Sequence, residues 1–384
     1  MFAVYVGGTP IREAMMTMVR TIGLMSGTSM DGVDVALIET DGEAEISFRG
    51  SGFLPYQDED RALLRAAIAD AAPLHDRRAR PGALASAEAM VTQRHCEAVR
   101  RFLDAQGVDG KTIDVIGFHG QTVLHRPEKR LTVQIGDGAA LARSLGHDVV
   151  YDFRAADVLR GGQGAPLVPV FHSALVRAAG FAEPVAVINI GGVANVTFIE
   201  REREPIACDA GPGNALIDDL MLLRKGVAID RDGATAARGR ADEKILKDLL
   251  AHPFFALAPP KSLDRNAFSA AAVASLATED AARTLTAFSA AAIARALDLM
   301  PQRPAIAVIC GGGARNPTLM AELSARLPCR VADADAFGWS IDAMEAQAFA
   351  YMAVRRQKNL PITFPQTTGI DAPLAGGLIA RPVR

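Results

Sequence analysis

The four cysteines in these 384 residues, Cys96, Cys208, Cys310 and Cys329, stand far apart, with no Cys-x-x-Cys pair and no histidines at zinc-ligand spacing. That excludes a disulfide framework and a zinc site, and leaves the thiols as reduced, mostly buried small hydrophobes suited to a reducing cytoplasm. Cys96 follows His95 inside a helical pattern, so a catalytic thiol stays open there beside the structural reading. No run of about 18 apolar residues occurs, so no membrane-spanning helix is expected. The first twenty residues begin apolar but lack a basic segment in front and are broken by Gly-Gly-Thr-Pro. They read as a leader without functional weight, with Met15 or Met18 as alternative starts. Charge of one sign is also lacking: 41 Lys and Arg against 44 Asp and Glu give a net −3. No basic field exists to hold nucleic acid or an anionic membrane surface, and neither is expected as a partner. There is no G-x-x-x-x-G-K-[ST], and no G-x-G-x-x-G opens a helix after a strand, which argues against P-loop and Rossmann nucleotide binding.

What is present is a globular composition, 49% hydrophobic and 22% charged, in a chain long enough for two domains. Residues 21–39, TIGLMSGTSMDGVDVALIE, organise the rest. Ile22, Leu24 and Met25 lead into Ser26, Gly27, Thr28, Ser29, Asp31 and Gly32, after which Val33, Val35 and Leu37 alternate: a strand, a polar turn and a second strand. Glycines allow close approach of the backbone, hydroxyls and turn N–H groups suit an anion, and Asp31 and Asp34 suit a cation, directly or through water. The stretch reads either as a phosphate-and-magnesium cradle or as an ordinary turn.

Residues 43–54 read as a third strand, and 84–103 as an amphipathic helix with Leu84, Ala87, Val91, Val99 and Phe102 on its stripe. The apolar run 114–118 ends in His119, Gly120, Gln121 and Thr122, polar residues collected at a strand end, as α/β proteins place their sites. A second series follows. Val185, Val187, Ile188 and Ile190 enter Gly191, Gly192 and Asn195, and a strand continues through Val196, Phe198 and Ile199. Residues 282–299 repeat the long helix, and Ile306, Val308 and Ile309 run into Gly311, Gly312 and Gly313. Hairpin, helix and strand-to-glycine thus occur twice in the same order, which predicts a duplicated α/β fold with a cleft between two lobes. Such a cleft suits a nucleotide.

Several motifs carry candidate chemistry. Asp209, Gly211, Gly213 and Asn214 precede an expected helix at 215–223, either as an anion site with a carboxylate for a metal or sugar hydroxyl, or as a plain strand-to-helix turn. Gly311–Gly313 offer a flat backbone for an adenine ring, with Asn316 as helix cap and Pro317 at the first helical position. Asp157 stands before the glycine-rich stretch 161–166 and reads as a general base or as a surface carboxylate. His119 and His125 read as substrate contacts or as hydrogen-bonded structural histidines.

Taken together, GLMSGTSMDGVDVAL, GFHGQTVLHRP, DFRAADVLRGGQGAPLVP, NIGGVANVT, DAGPGN, GGGARN and DAMEAQAFA resemble the anhydro-N-acetylmuramic acid kinase family, in family order from about residue 21 to 378. The resemblance implies the actin, hexokinase and heat-shock chaperone ATPase superfamily: two ribonuclease H-like α/β lobes around an ATP cleft. The first lobe would comprise 21–155 with a C-terminal return at about 357–384, the second 156–356. The implied reaction opens the 1,6-anhydro ring with water and phosphorylates O6, using ATP and Mg²⁺, in cytoplasmic recycling of cell-wall sugar by a homodimer. Gly27, Thr28, Ser29, Met30, Asp31, Gly32, Val33 and Asp34 would form the first phosphate loop, with Asp31 on Mg²⁺, and Gly191, Gly192 and Asn195 the second. Asp209, Gly211, Gly213 and Asn214, with Gly311, Gly312, Gly313 and Asn316, would complete the nucleotide site. Asp157 would activate water, and His119, Gln121 and Glu345 would contact the sugar. Two departures bear on lobe contacts or substrate fit: Lys261-Ser262-Leu263-Asp264-Arg265-Asn266 stands where Lys-Ser-Thr-Gly-Arg-Glu is expected, and Ala210 where threonine is usual. A kinase of another sugar or small acid, and an ATP-gated assembly protein, are the alternative readings.

Overall fold

The computed structural model describes residues 18–263 and 267–382. Residues 1–17 of the expected leader, and Asp264, Arg265 and Asn266 of the departing motif, lie outside the described residues. Twelve strands follow one another along the described chain: β1 (Val19–Ser26), β2 (Gly32–Thr40), β3 (Ile46–Pro55), β4 (Val115–Arg126), β5 (Leu131–Ile135) and β6 (Asp148–Tyr151), then β7 (Val185–Ile190), β8 (Val193–Ile199), β9 (Ile206–Pro212), β10 (Ile306–Cys310), β11 (Arg330–Asp333) and β12 (Leu378–Ala380). The first sheet runs β12-β6-β4-β1-β2-β3, with β5 on β4; the second runs β11-β10-β7-β8-β9.

The two sheets share one plan. In the first, β1 pairs antiparallel with β2, β2 antiparallel with β3, β1 parallel with β4, and β4 parallel with β6. In the second, β7, β8, β9, β10 and β11 repeat those relations in the same sense. The duplication expected from hairpin, helix and strand order is therefore present as topology: an α/β protein of two ribonuclease H-like lobes, the actin-like ATPase arrangement.

Period-two alternation explains why β2 is buried on both faces. Val33, Val35 and Leu37 join a core with Leu84, Ala87, Val91 and Val99 of the helix Leu84–Gln106, while Ala36 and Ile38 join another with Ala346, Phe349 and Ala350 of the helix Met344–Gln357. That second helix lies so close to the sheet that a Cβ at Gly23 would fall on the backbone oxygen of Ala346, and one at Gly117 on that of Phe349. Only glycine permits the approach. Helix 344–357 thus covers β1, β2 and β4 of the first sheet. In the second lobe Ile188, Ile190 and Val196 pack against Ala290, Ile293 and Leu297 of the helix Thr278–Leu297.

Two local expectations are corrected. His119, Gly120, Gln121 and Thr122 do not end a strand; β4 continues through them to Arg126, because the antiparallel partner β5 carries it beyond β1. Residues Asp209, Ala210 and Gly211 are not loop but strand, paired along β8. The four cysteines are free, and Cys96, Cys208 and Cys310 are buried, as expected. His95, beside Cys96, hydrogen-bonds through Nδ1 to the Val91 carbonyl in its own helix. No helix among the described residues is long and apolar enough to cross a membrane.

Candidate active site

The equivalent hairpin loops of the two lobes, between β1 and β2 and between β7 and β8, meet at a cleft of about 890 Å³. Gly27, Thr28 and Ser29 line it from one side, Gly191, Gly192 and Asn195 from the other. His119, Arg154 and Glu345 also reach it, together with Asp218 and Asp219 of the helix Ala215–Lys225.

The first loop is held from inside and outside. Ser29 Oγ donates to Asp31 Oδ1 at 2.8 Å, the Gly32 N–H donates to the same oxygen at 3.0 Å, and the Met30 N–H closes the turn on the Gly27 carbonyl. Beneath it, Gln121 Nε2 donates to the Gly27 carbonyl at 3.0 Å, and Gln121 Oε1 accepts from Ser26 Oγ, which also meets Tyr56 Oη. Gln121 is fully buried and lies outside the cleft lining. It braces the loop instead of facing a ligand, a role invisible to a reading that placed it at a free strand end.

The second loop is braced by the start of helix 215–225. The Gly213 and Asn214 N–H groups donate to the Gly192 and Gly191 carbonyls at 2.9 and 2.8 Å, and Asn214 Nδ2 donates to the Ile190 carbonyl. A Cβ on Gly213 would collide with the Gly191 oxygen. These N–H groups are therefore engaged with the hairpin and not presented to an anion, contrary to the helix-start reading of 209–214. Asp209 Oδ2 accepts the Leu263 N–H at 2.7 Å, and burial pushes its carboxyl up to about 6. Gly311 and Gly313 pack against Asn189 and Ile190, and Gly312 is exposed near Asn214. Asn316 caps the following helix, its Oδ1 accepting the Leu319 N–H, with Pro317 at the first position, as the sequence predicts.

Behind the cleft, Asp157 sits on the short helix Ala155–Leu159 and is fully buried. Its Oδ1 accepts the Gly164 N–H at 2.7 Å and its Oδ2 accepts Thr368 Oγ1 at 2.6 Å. A buried carboxylate with both oxygens hydrogen-bonded is the opposite of a surface group. Arg154, one turn earlier, donates from Nη1 to the Gly164 carbonyl at 2.8 Å and from Nε to His119 Nε2 at 2.9 Å. Glu345 accepts from Asn189 Nδ2 at 3.2 Å, joining the two lobes, and burial raises its pKa. Arg154 escaped the sequence reading; the Arg-x-x-Asp spacing to Asp157, one helical turn, was the available signal.

Near the first loop Asp34 is pushed up to about 7 by burial and by the charges of Asp31, Glu345 and Asp342. Among the described residues no three carboxylates, histidines or cysteines converge tightly enough to hold a metal alone. One or two carboxylates beside a polyphosphate are nonetheless what Mg²⁺ requires. The mutual repulsion of Asp34, Asp31 and Glu345 is an electrostatic deficit that a cation would relieve.

A profile described as anhydro-N-acetylmuramic acid kinase matches residues 19–381. The chain is 54% identical over 366 residues to the anhydro-N-acetylmuramic acid kinase of Nitrobacter winogradskyi, covering 95% of this chain and 100% of that one. It is 56% identical over 373 residues to the Methylobacterium nodulans kinase of the same name, covering 94% and 100%. The duplicated lobes, the paired loops at one cleft and near-complete coverage of these relatives agree: the chain belongs to the anhydro-N-acetylmuramic acid kinase family.

Proposed function

We propose that this protein opens the 1,6-anhydro ring of anhydro-N-acetylmuramic acid with water and transfers the γ-phosphoryl group of ATP to O6, giving N-acetylmuramic acid 6-phosphate and ADP. The observation that carries the site assignment is the cleft itself, lined by Gly27–Ser29 from one lobe and Gly191, Gly192 and Asn195 from the other. Those loops would hold the ATP phosphates through backbone N–H groups and hydroxyls. Gly311–Gly313 would border the adenosine. Asp31 and Asp34 would hold Mg²⁺, directly or through water, and the ion when bound neutralises phosphate charge.

Asp157 would take the proton of the attacking water. Its two hydrogen bonds, from Gly164 and Thr368, fix the carboxylate in one orientation. Because it is fully buried, admitting the sugar beside it requires the lobes to open around the cleft while Gly164 keeps its bonds to Asp157 and Arg154, a motion of the kind that lids and closing lobes perform. Glu345 and His119 would border the sugar at the lobe interface. The enzyme is read as a cytoplasmic homodimer, which light scattering tests.

A panel of sugars with and without the anhydro bond, scored for ADP release, tests the substrate: turnover restricted to the anhydro sugar is expected, and equal turnover of intact hexoses would contradict it. Asp157→Asn is expected to abolish turnover while an ATP analogue still binds.

A further inference from the structure

We propose that Arg154 is the fixed cation of the cleft: His119 and Gly164 hold its guanidinium toward the charge that develops on O6 and the transferred phosphoryl group, and His119 serves as its strut, not as a proton carrier. The proposal rests on the kinase reading above.

Among the described residues lining the cleft, the cationic side chains are Arg65 and Arg154. Arg65 is exposed on the helix Asp58–Ala71, and no described residue anchors it. Arg154 is anchored at two points, Nε on His119 Nε2 and Nη1 on the Gly164 carbonyl, which leaves Nη2 without a protein hydrogen bond among the described residues. Asp157 and Glu345 lie close enough for their charges to act on it, yet it forms an ion pair with neither among the described residues. A guanidinium that feels the charge of two carboxylates but is bonded to neither is available to a third anion.

His119 fixes this geometry. Its Nδ1 lies 2.7 Å from the Gly120 carbonyl, which can only accept, so Nδ1 carries the proton and Nε2 is left to accept from Arg154. The ring also packs on Phe349, centroids 4.7 Å apart. Both nitrogens are engaged, and burial, then the Arg154 charge, hold its pKa well below the usual histidine range. The ring stays neutral and cannot exchange a proton without releasing Arg154.

The reaction develops negative charge that a cation lining this cleft would stabilise. As the water oxygen bonds to C1, the electron pair of the breaking C1–O6 bond passes to O6. The new O6–P bond then forms while the P–O bond to ADP breaks, and the water's proton leaves through Asp157 to solvent. Negative charge thus crosses O6 and the phosphoryl oxygens, and a donor already held in place stabilises it without reorganising.

The test is steady-state kinetics of Arg154→Ala and Arg154→Lys, with binding of a non-hydrolysable ATP analogue and melting temperature measured in parallel. Arg154→Ala is expected to lower kcat by about 10²- to 10³-fold, with KM for both substrates and analogue affinity little changed. Lysine, a point charge without the planar fork, is expected to restore only part of it. Millimolar guanidinium is expected to rescue Arg154→Ala but not Asp157→Asn. His119→Gln is expected to lower kcat without removing a limb from its pH profile. A kcat of Arg154→Ala within about threefold of wild type, a loss confined to KM, or no guanidinium rescue in a folded, analogue-binding Arg154→Ala protein would overturn the proposal. If the alanine variant does not fold, Arg154→Lys decides, since wild-type kcat there also overturns it. Inactive wild-type protein would instead defeat the kinase reading itself.

Discussion

Thr368 Oγ1 donates to Asp157 Oδ2 at 2.6 Å, joining residues 211 apart in the chain, both fully buried. The carboxylate assigned to water activation is thus oriented by the C-terminal segment as well as by its own loop.

Thr368→Val keeps the shape of the side chain and removes that hydrogen bond. The Asp157 oxygen then loses a buried partner, at a stability cost of about 1–3 kcal/mol. Turnover is expected to fall at least tenfold, because a loosened base misses its near-attack position. Nucleotide affinity is expected to stay near wild type; kcat and calorimetric ATP-analogue binding check the pair.

Gly213→Ala tests the brace under the second phosphate loop. A Cβ there would strike the Gly191 oxygen, so the hairpin must shift. Overpacking of this kind costs about 1–3 kcal/mol. The expected outcome is weakened ATP-analogue binding by isothermal calorimetry with the sugar's affinity less affected; unchanged nucleotide affinity would remove the 191–195 hairpin from the phosphate site.

Asp34 gives a pH signature. Its folded pKa of about 7 lies above the ordinary 3.8, so the native state binds the extra proton across that interval. Its effect on stability is most favourable below the ordinary value and is lost as pH rises toward and through 7. Asp34→Asn is therefore expected to flatten the fall in melting temperature between these limits and to be the more stable protein at higher pH. Parallel thermal scans of both proteins check this; identical pH slopes would show that burial beside Asp31 and Glu345 does not disfavour the charge.

Much of the fold was legible because it is written in periodic burial. Val33, Val35 and Leu37 alternate, the 84–103 stripe repeats every three to four residues, and glycine follows the apolar runs that end at Ile190 and Cys310. The same signals exposed the two lobes. What could not be read depends on distant partners. Gln121 became a buried brace because β5 prolongs β4 past it. Asp157 became a doubly bonded, buried carboxylate because Gly164 and Thr368 reach it. The N–H groups at 213 and 214 were claimed by the neighbouring hairpin, which no local pattern announces. Helix 344–357 packs on the first sheet because Gly23 and Gly117 leave room for its backbone, and those glycines carry no mark of what approaches them.

The central claim is that water attacks C1 while O6 leaves to take the phosphoryl group, with Asp157 accepting the proton. Turnover of anhydro-N-acetylmuramic acid with MgATP in water enriched in heavy oxygen, followed by mass spectrometry of the phosphorylated sugar, reads it directly. The expected product carries one heavy oxygen at C1 and none in the phosphate; a phosphorylated product without label at C1 would contradict it.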